Sequence, residues 1–256
     1  MAIQKMDQAN IDIGPAWIMY KGLWLGATQG GPKITAENTS HEVKTDQTGE
    51  EVLAEIYLGG TWMATVPLVE INLGVAAAIV PGAVAIAAAA AYVATDAGAT
   101  YAAGVITFSV AITGIKVGDI CHYTKTGPTP TTGVVGQFDI AAKKVYLMDG
   151  AATPDIVSPS PSLYHVNSVK FHNATGVNLL DIAGELMFVP KDPNDTNYYI
   201  MPLAGLVFKP ELNFISDAER LMSLEFKSYA RSDVLHSTYA TGLSFFIGSK
   251  TDYDAL

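Results

Sequence analysis

Between residues 51 and 69, apolar and polar positions alternate with a period of two. Val52, Ala54, Ile56 and Leu58 are apolar, with Glu51, Glu55 and Tyr57 between them. Beyond Gly59-Gly60 the apolar series resumes at Trp62, Ala64, Val66 and Leu68, set against Thr61, Met63 and Thr65. Such alternation predicts half-buried β-strand, and the two glycines predict the turn. A two-residue loop pairs Leu58 with Thr61 and sets the apolar face of one strand beside the polar face of the next. A three-residue loop of Gly59, Gly60 and Thr61 pairs Leu58 with Trp62, Ile56 with Ala64 and Ala54 with Val66, so that both apolar faces agree. Glycine supplies the positive φ such a loop needs. The expectation is a hairpin of strands 51–58 and 62–69 with the even-numbered face buried.

The same reading extends along the chain. Residues 16–20 form a short apolar strand broken by Lys21-Gly22. Residues 33–44 are polar and extended, which suits a sheet edge or a contact with another subunit. Residues 71–94 carry no charge over a length that could span a bilayer. Much of that run is alanine, however. Pro81-Gly82 splits it, and the flanking Glu70 and Asp96 are acidic, with no Lys or Arg anchor. A buried helix over about 69–80, then a second Ala-rich helix or irregular segment over about 83–95, is expected instead, with no membrane insertion. Residues 105–150 read as a second β-rich block. It has strands at 106–112 and 120–124, an exposed loop at 126–133, and a hairpin of 134–140 with 144–148. Ser158-Pro159-Ser160-Pro161 reads as a linker. Strands are expected at 164–171, 184–189, 198–208 and 219–229, the last with Met222, Leu224 and Phe226 on one face. Residues 231–256, with Phe245-Phe246-Ile247, would expose apolar surface as a free tail, so they are expected to dock on a neighbour or on the body.

The fold class expected is mainly β: a two-sheet β-sandwich or barrel-like body with one packed α-helix and an inserted β-rich module. Residues 1–80 and 161–256 form the core with its terminal arms, and 81–160 form the insertion.

Composition narrows the function. The 256 residues are 49% hydrophobic and 16% charged, with a net charge of −10. That argues against disorder and against a phosphate-gripping nucleic-acid binder. The one cysteine, Cys121, excludes an intramolecular disulfide framework and suits assembly in a reducing cytoplasm. The N-terminal residues lack a secretory signal pattern. His41, His122, His165, His172 and His236 have no metal-ligand spacing, and no P-loop, dinucleotide fingerprint or nucleophile elbow occurs. No catalytic residue, metal or cofactor is expected. Trp17, Trp24 and Trp62 have no interleaved basic residues, which makes them core or interface anchors rather than base-stacking platforms.

The order of elements around the alternating stretch resembles the tail tube (major tail) proteins of long-tailed bacteriophages. The features that carry the resemblance are the turn Asp46-Gln47-Thr48-Gly49, the acidic strand 51–58, Gly59-Gly60, the strand 62–69, and Glu70 leading into a helix. Upstream it takes in Trp17-Ile18-Met19-Tyr20, Gly22, Leu25-Gly26 and Gly30-Gly31, and it resumes from Leu179 to about Tyr229. About half the chain is covered, and the 105–150 block has no counterpart. The resemblance implies hexameric rings stacked into a tube that conducts the genome into the host. The tube would hold a tape measure protein before ejection and meet tail terminator and distal tail or baseplate proteins at its ends. The protein would then belong to the virion tail and be assembled in the host cytoplasm. On this reading Asp46, Gln47, Thr48 and Gly49 form an inter-subunit turn and Glu70 opens the packed helix. Glu51 and Glu55 line the lumen, because DNA, with one negative charge per about 1.7 Å of axis, slides best past weakly repelling walls. The alternative is a secreted or cell-surface β-sandwich adhesin binding a glycan or a protein.

Overall fold

The computed structural model describes residues 15–44, 52–69, 72–93, 95–102, 104–124, 130–148, 158–172, 175–192, 195–207, 222–235 and 242–256. The first part of the chain supplies β1 (Ala16–Tyr20), β2 (Leu23–Trp24), β3 (Lys33–Lys44), β4 (Val52–Leu68), α1 (Leu73–Ile79) and β5 (Ala83–Ala87). The middle supplies β6 (Thr100–Ala102), β7 (Val105–Thr107), β8 (Ile120–Thr124), β9 (Pro130–Asp139), β10 (Lys144–Leu147) and β11 (Ser158–Tyr164). The last part supplies β12 (Val166–Phe171), β13 (Gly184–Pro190), β14 (Tyr198–Val207), β15 (Met222–Tyr229), β16 (Arg231–Leu235), β17 (Gly242–Leu243), β18 (Phe246–Gly248) and α2 (Lys250–Asp254).

The chain is mainly β, as its alternation predicts. The main sheet runs β2-β1-β13-β14-β15-β4-β3, with β18 also paired to β14. A second sheet runs β11-β8-β9-β10-β7-β6, and β12-β5 and β16-β17 form two-stranded sheets. The strand pairs are antiparallel, so each strand can bury one face. In β13, Leu186 and Phe188 turn to one side of the main sheet and Met187 to the other. The first side, with Ile18, Val66, Leu206, Leu224 and Phe226, packs against Val75, Ile79 and Val80 of α1 and its C-terminal end. The second side carries Met187 and Ile200 under Tyr253 of α2. The second sheet encloses its own core of Ile106, Phe108, Ile112, Cys121, Val135, Val145 and Leu163. Burial pushes the Cys121 thiol up to about 12, which keeps it protonated inside that core.

Five expectations change. The predicted hairpin with Gly59, Gly60 and Thr61 as its loop is instead one uninterrupted strand, β4, which pairs along its length with β3. The register Ala64↔Ile34, Trp62↔Ala36 and Ile56↔His41 replaces the predicted Ile56–Ala64 pairing. Helix α1 begins at Leu73, later than predicted, where the Asn72 side chain accepts hydrogen bonds from the Gly74 and Val75 N–H groups. Of the segment expected as a second helix or irregular stretch, residues 83–87 form strand β5 against β12. Ser158–Pro161 is no linker: it opens β11, whose Leu163 is fully buried in the second core. The predicted strand 164–171 is divided at His165, which lies between β11 and β12. The C-terminal segment docks on its own body, with Phe245 stacked on Trp62 at 4.3 Å and Tyr253 buried.

The two cores meet at a close backbone contact. A Cβ built on Gly74 would lie 2.2 Å from the Gly118 carbonyl oxygen, and one built on Gly118 would lie 2.5 Å from the Val75 nitrogen. Beside them the Asn72 amide donates to the Val117 carbonyl at 2.6 Å. One asparagine therefore caps α1 and ties it to the loop before β8.

Candidate functional site

The residues singled out by the alternation lie on the β3–β4 ribbon. Lys33–Thr39 pairs residue by residue with Thr65–Gly59. Ser40 then faces Tyr57, which leaves Leu58 as an extra residue in β4 and makes a β-bulge. Gly59, at φ +122°, supplies the backbone that closes it. At Gly60 a Cβ would crowd the Glu37 carbonyl oxygen at 3.1 Å and would need the exposed Asn38 and Tyr57 side-chain ends, 2.7 Å and 2.8 Å away, to swing aside. Glycine inside a strand thus marks a bulge and a close approach, not a turn.

The bulge shifts the phase of β4 by one residue, which exchanges its faces. In the inner half Trp62 and Ala64 share a face with Ala36 and Ile34, directed at the core. In the outer half that same face carries Tyr57 and Glu55, opposite Ser40 and Glu42, while Ile56 and Ala54 turn to the other face, opposite His41 and Val43. The predicted continuous apolar face from 52 to 68 is therefore not buried as one. Ala64, Val66 and Leu68 are buried, but Ile56 is 50%, Tyr57 64% and Leu58 63% exposed. Glu55 is exposed and accepts a hydrogen bond from Ser40 Oγ, with Glu42 directly across the ribbon. Gly59, Gly60 and Thr61 lie mid-strand. Asp46, Gln47, Thr48, Gly49, Glu51 and Glu70 lie outside the described residues.

A second feature is a cleft of about 690 Å³ where the two cores meet. Trp24, Leu73 and Phe138 form apolar parts of its lining, and Lys116, His165 and Asn167 are among its polar ones. Beneath it Asp119, with only 4% of its side chain exposed, gathers three donors. The Lys116 backbone N–H reaches it at 2.8 Å, the Tyr92 hydroxyl at 3.2 Å, and His165 Nδ1 lies 3.1 Å away. The imidazole stacks on Tyr92 with ring centroids 4.0 Å apart and planes 5° from parallel. Burial first, then the charge and hydrogen bond of Asp119, push the Tyr92 hydroxyl far above its ordinary range, so it stays a donor. A carboxylate that accepts from a backbone N–H and a phenol accepts from the Nδ1–H as well, which leaves Nε2 as the outward nitrogen of His165.

Sequence reasoning missed this cluster. Asp119 and His165 are 46 residues apart, beyond the reach of any local spacing pattern. Among the described residues no group of three or more His, Cys, Asp or Glu side chains could hold a metal ion. No helix among them is long and apolar enough to cross a membrane, which says nothing of a β-barrel. No protein-family model matches the chain, and no curated protein matches it.

Proposed function

We propose that the protein is a structural subunit that self-assembles through its β3–β4 ribbon into rings that stack as a tube, in the manner of the phage tail tube proteins its sequence resembles. The observation that carries the reading is the outer ribbon. Residues 54–60 run roughly 20 Å at about 3.3 Å per residue, and Ile56 and Leu58 lie open to water there. A monomer gains nothing from that exposure, whereas a second copy covering the strip removes it from water at about 25 cal/mol per Å². Among the described residues strand β3 ends the main sheet, and a neighbouring copy can pair with the backbone groups of that edge.

The bulge gives the ribbon two characters. Ala54, Ile56 and Val43 offer an apolar face to a neighbour. Glu55, Glu42, Ser40 and Tyr57 form an acidic and hydroxylated face that stays in water. In a tube that conducts DNA the second face borders the lumen, where the carboxylates weakly repel phosphate and leave no site for it to stick. The net charge of −10 agrees in sign. Sedimentation of the purified chain against concentration tests the assembly. Growth to a ring-sized species that Ile56→Asp abolishes supports it, and a concentration-independent monomer counts against it.

A further inference from the structure

We propose that the cleft between the two cores is a binding site for a small amphipathic anion, with an apolar, flat body against Trp24, Leu73 and Phe138 and a carboxylate at Lys116 and His165. This is separate from ring assembly and does not rest on it. A volume of about 690 Å³ is in the usual range for small-ligand sites, which join apolar walls to a few convergent polar groups.

The polar groups are directional. Asp119 spends its charge on the Lys116 backbone N–H, the Tyr92 hydroxyl and His165 Nδ1, and so offers little to a ligand. His165 is fixed on one edge by Asp119 and on one face by Tyr92, yet 37% of its side chain is exposed. Among the described residues no hydrogen-bond partner meets its Nε2. The protonated imidazole is a donor at both nitrogens, with its charge matched by Asp119 on one side and by an incoming carboxylate on the other. Lys116, which lines the same cleft, brings a positive charge in a chain that is acidic overall. A purely structural tie between the cores needs none of this. The Asn72–Val117 hydrogen bond and the Gly74–Gly118 contact already hold the loop to α1.

His165 meets Asp119 from the loop before β8 and Tyr92 from the segment after β5, and Lys116 lines the same cleft.

The test uses 2-naphthoate as probe, with 2-naphthalenemethanol as its neutral counterpart, read by calorimetry and by the imidazole nitrogen resonances of the full chain. Naphthoate is expected to bind at least about tenfold more tightly than the alcohol and to shift the His165 Nε2 resonance. Lys116→Gln and His165→Gln each weaken naphthoate by about tenfold, and Lys170→Gln, outside the cleft, leaves it unchanged. Lys116 is exposed, so its variant remains informative where the histidine variant misfolds. Equal affinity for the two probes, an unmoved His165 resonance, or naphthoate binding untouched by Lys116→Gln overturns the proposal.

Discussion

Placing a methyl group at Gly118 measures how firmly the second core is docked on α1. Two terms act there. The residue sits at φ +88°, and a side chain in that left-handed region costs about 1 kcal/mol. The new Cβ also meets the Val75 nitrogen at 2.5 Å and the Gly74 carbonyl carbon at 2.6 Å, which are backbone atoms that cannot rotate away. The loop must withdraw from the helix, at about 1–3 kcal/mol for overpacking. It then strains the 2.6 Å Asn72–Val117 hydrogen bond, worth about 1 kcal/mol more. Gly118→Ala is thus expected to destabilise by about 3–5 kcal/mol. Gly114 is the control, because its φ is +75° and nothing lies within 4 Å of a built Cβ. Gly114→Ala carries the backbone term alone, about 1 kcal/mol. Gly74→Ala makes the same collision from the helix side, offset by the better helix propensity of alanine, for a net of about 1–3 kcal/mol. The double variant at 74 and 118 costs less than the sum, since both lose one contact. Urea unfolding of the unassembled chain, followed by tryptophan fluorescence and far-UV dichroism, reads all four. If Gly118→Ala and Gly114→Ala agree within about 0.5 kcal/mol, the contact is not tight and the reasoning fails.

Three further outcomes follow from the same geometry. Ile56→Asp and Leu58→Asp lie on the exposed outer ribbon, so each changes unfolding free energy by less than about 0.5 kcal/mol while abolishing higher-order assembly, as light scattering would show. Phe245→Ala removes the ring stacked on Trp62 and lowers stability by about 2 kcal/mol, and deletion of 242–256 costs more by uncovering Met187 and Ile200; equilibrium unfolding that leaves the truncated chain as stable as the whole counts against the docking. At Asp96, burial pulls the carboxyl pKa up, but hydrogen bonds from the Ser109 hydroxyl and N–H and from the Gly98 N–H outweigh it and hold the group below its ordinary value. Its stabilisation is therefore full above about pH 4 and is lost as the pH falls through the lowered value, so Asp96→Asn flattens the acid limb of a stability–pH curve.

Strands with one buried face were legible because a period of two survives burial on one side. β15 and β10 show this alternation, whereas β13 and β14 read as short continuous apolar runs because both their faces are buried; polar β3 does lie at a sheet edge. Gly59-Gly60 satisfies the chemistry of a turn and of a bulge equally, and only the partner strand decides between them. That partner, β3, is too polar to announce a pairing with β4 along its length. β5 was missed because Ala-rich sequence has weak strand propensity, which tertiary pairing with β12 overrides. Ser158–Pro161 looked like a linker because prolines are rare in strands, yet edge strands tolerate them, and β11 is an edge. The Asp119–Tyr92–His165 cluster depends on how the two cores dock, which no local pattern encodes.

The central claim is assembly through the outer ribbon, and the most direct measurement is electron microscopy of the purified chain in negative stain across a range of concentrations. The account predicts rings with six-fold end views that stack into tubes, and neither rings nor tubes from Ile56→Asp. Compact single particles at every concentration, or tubes that form unchanged from the Ile56→Asp chain, would contradict it.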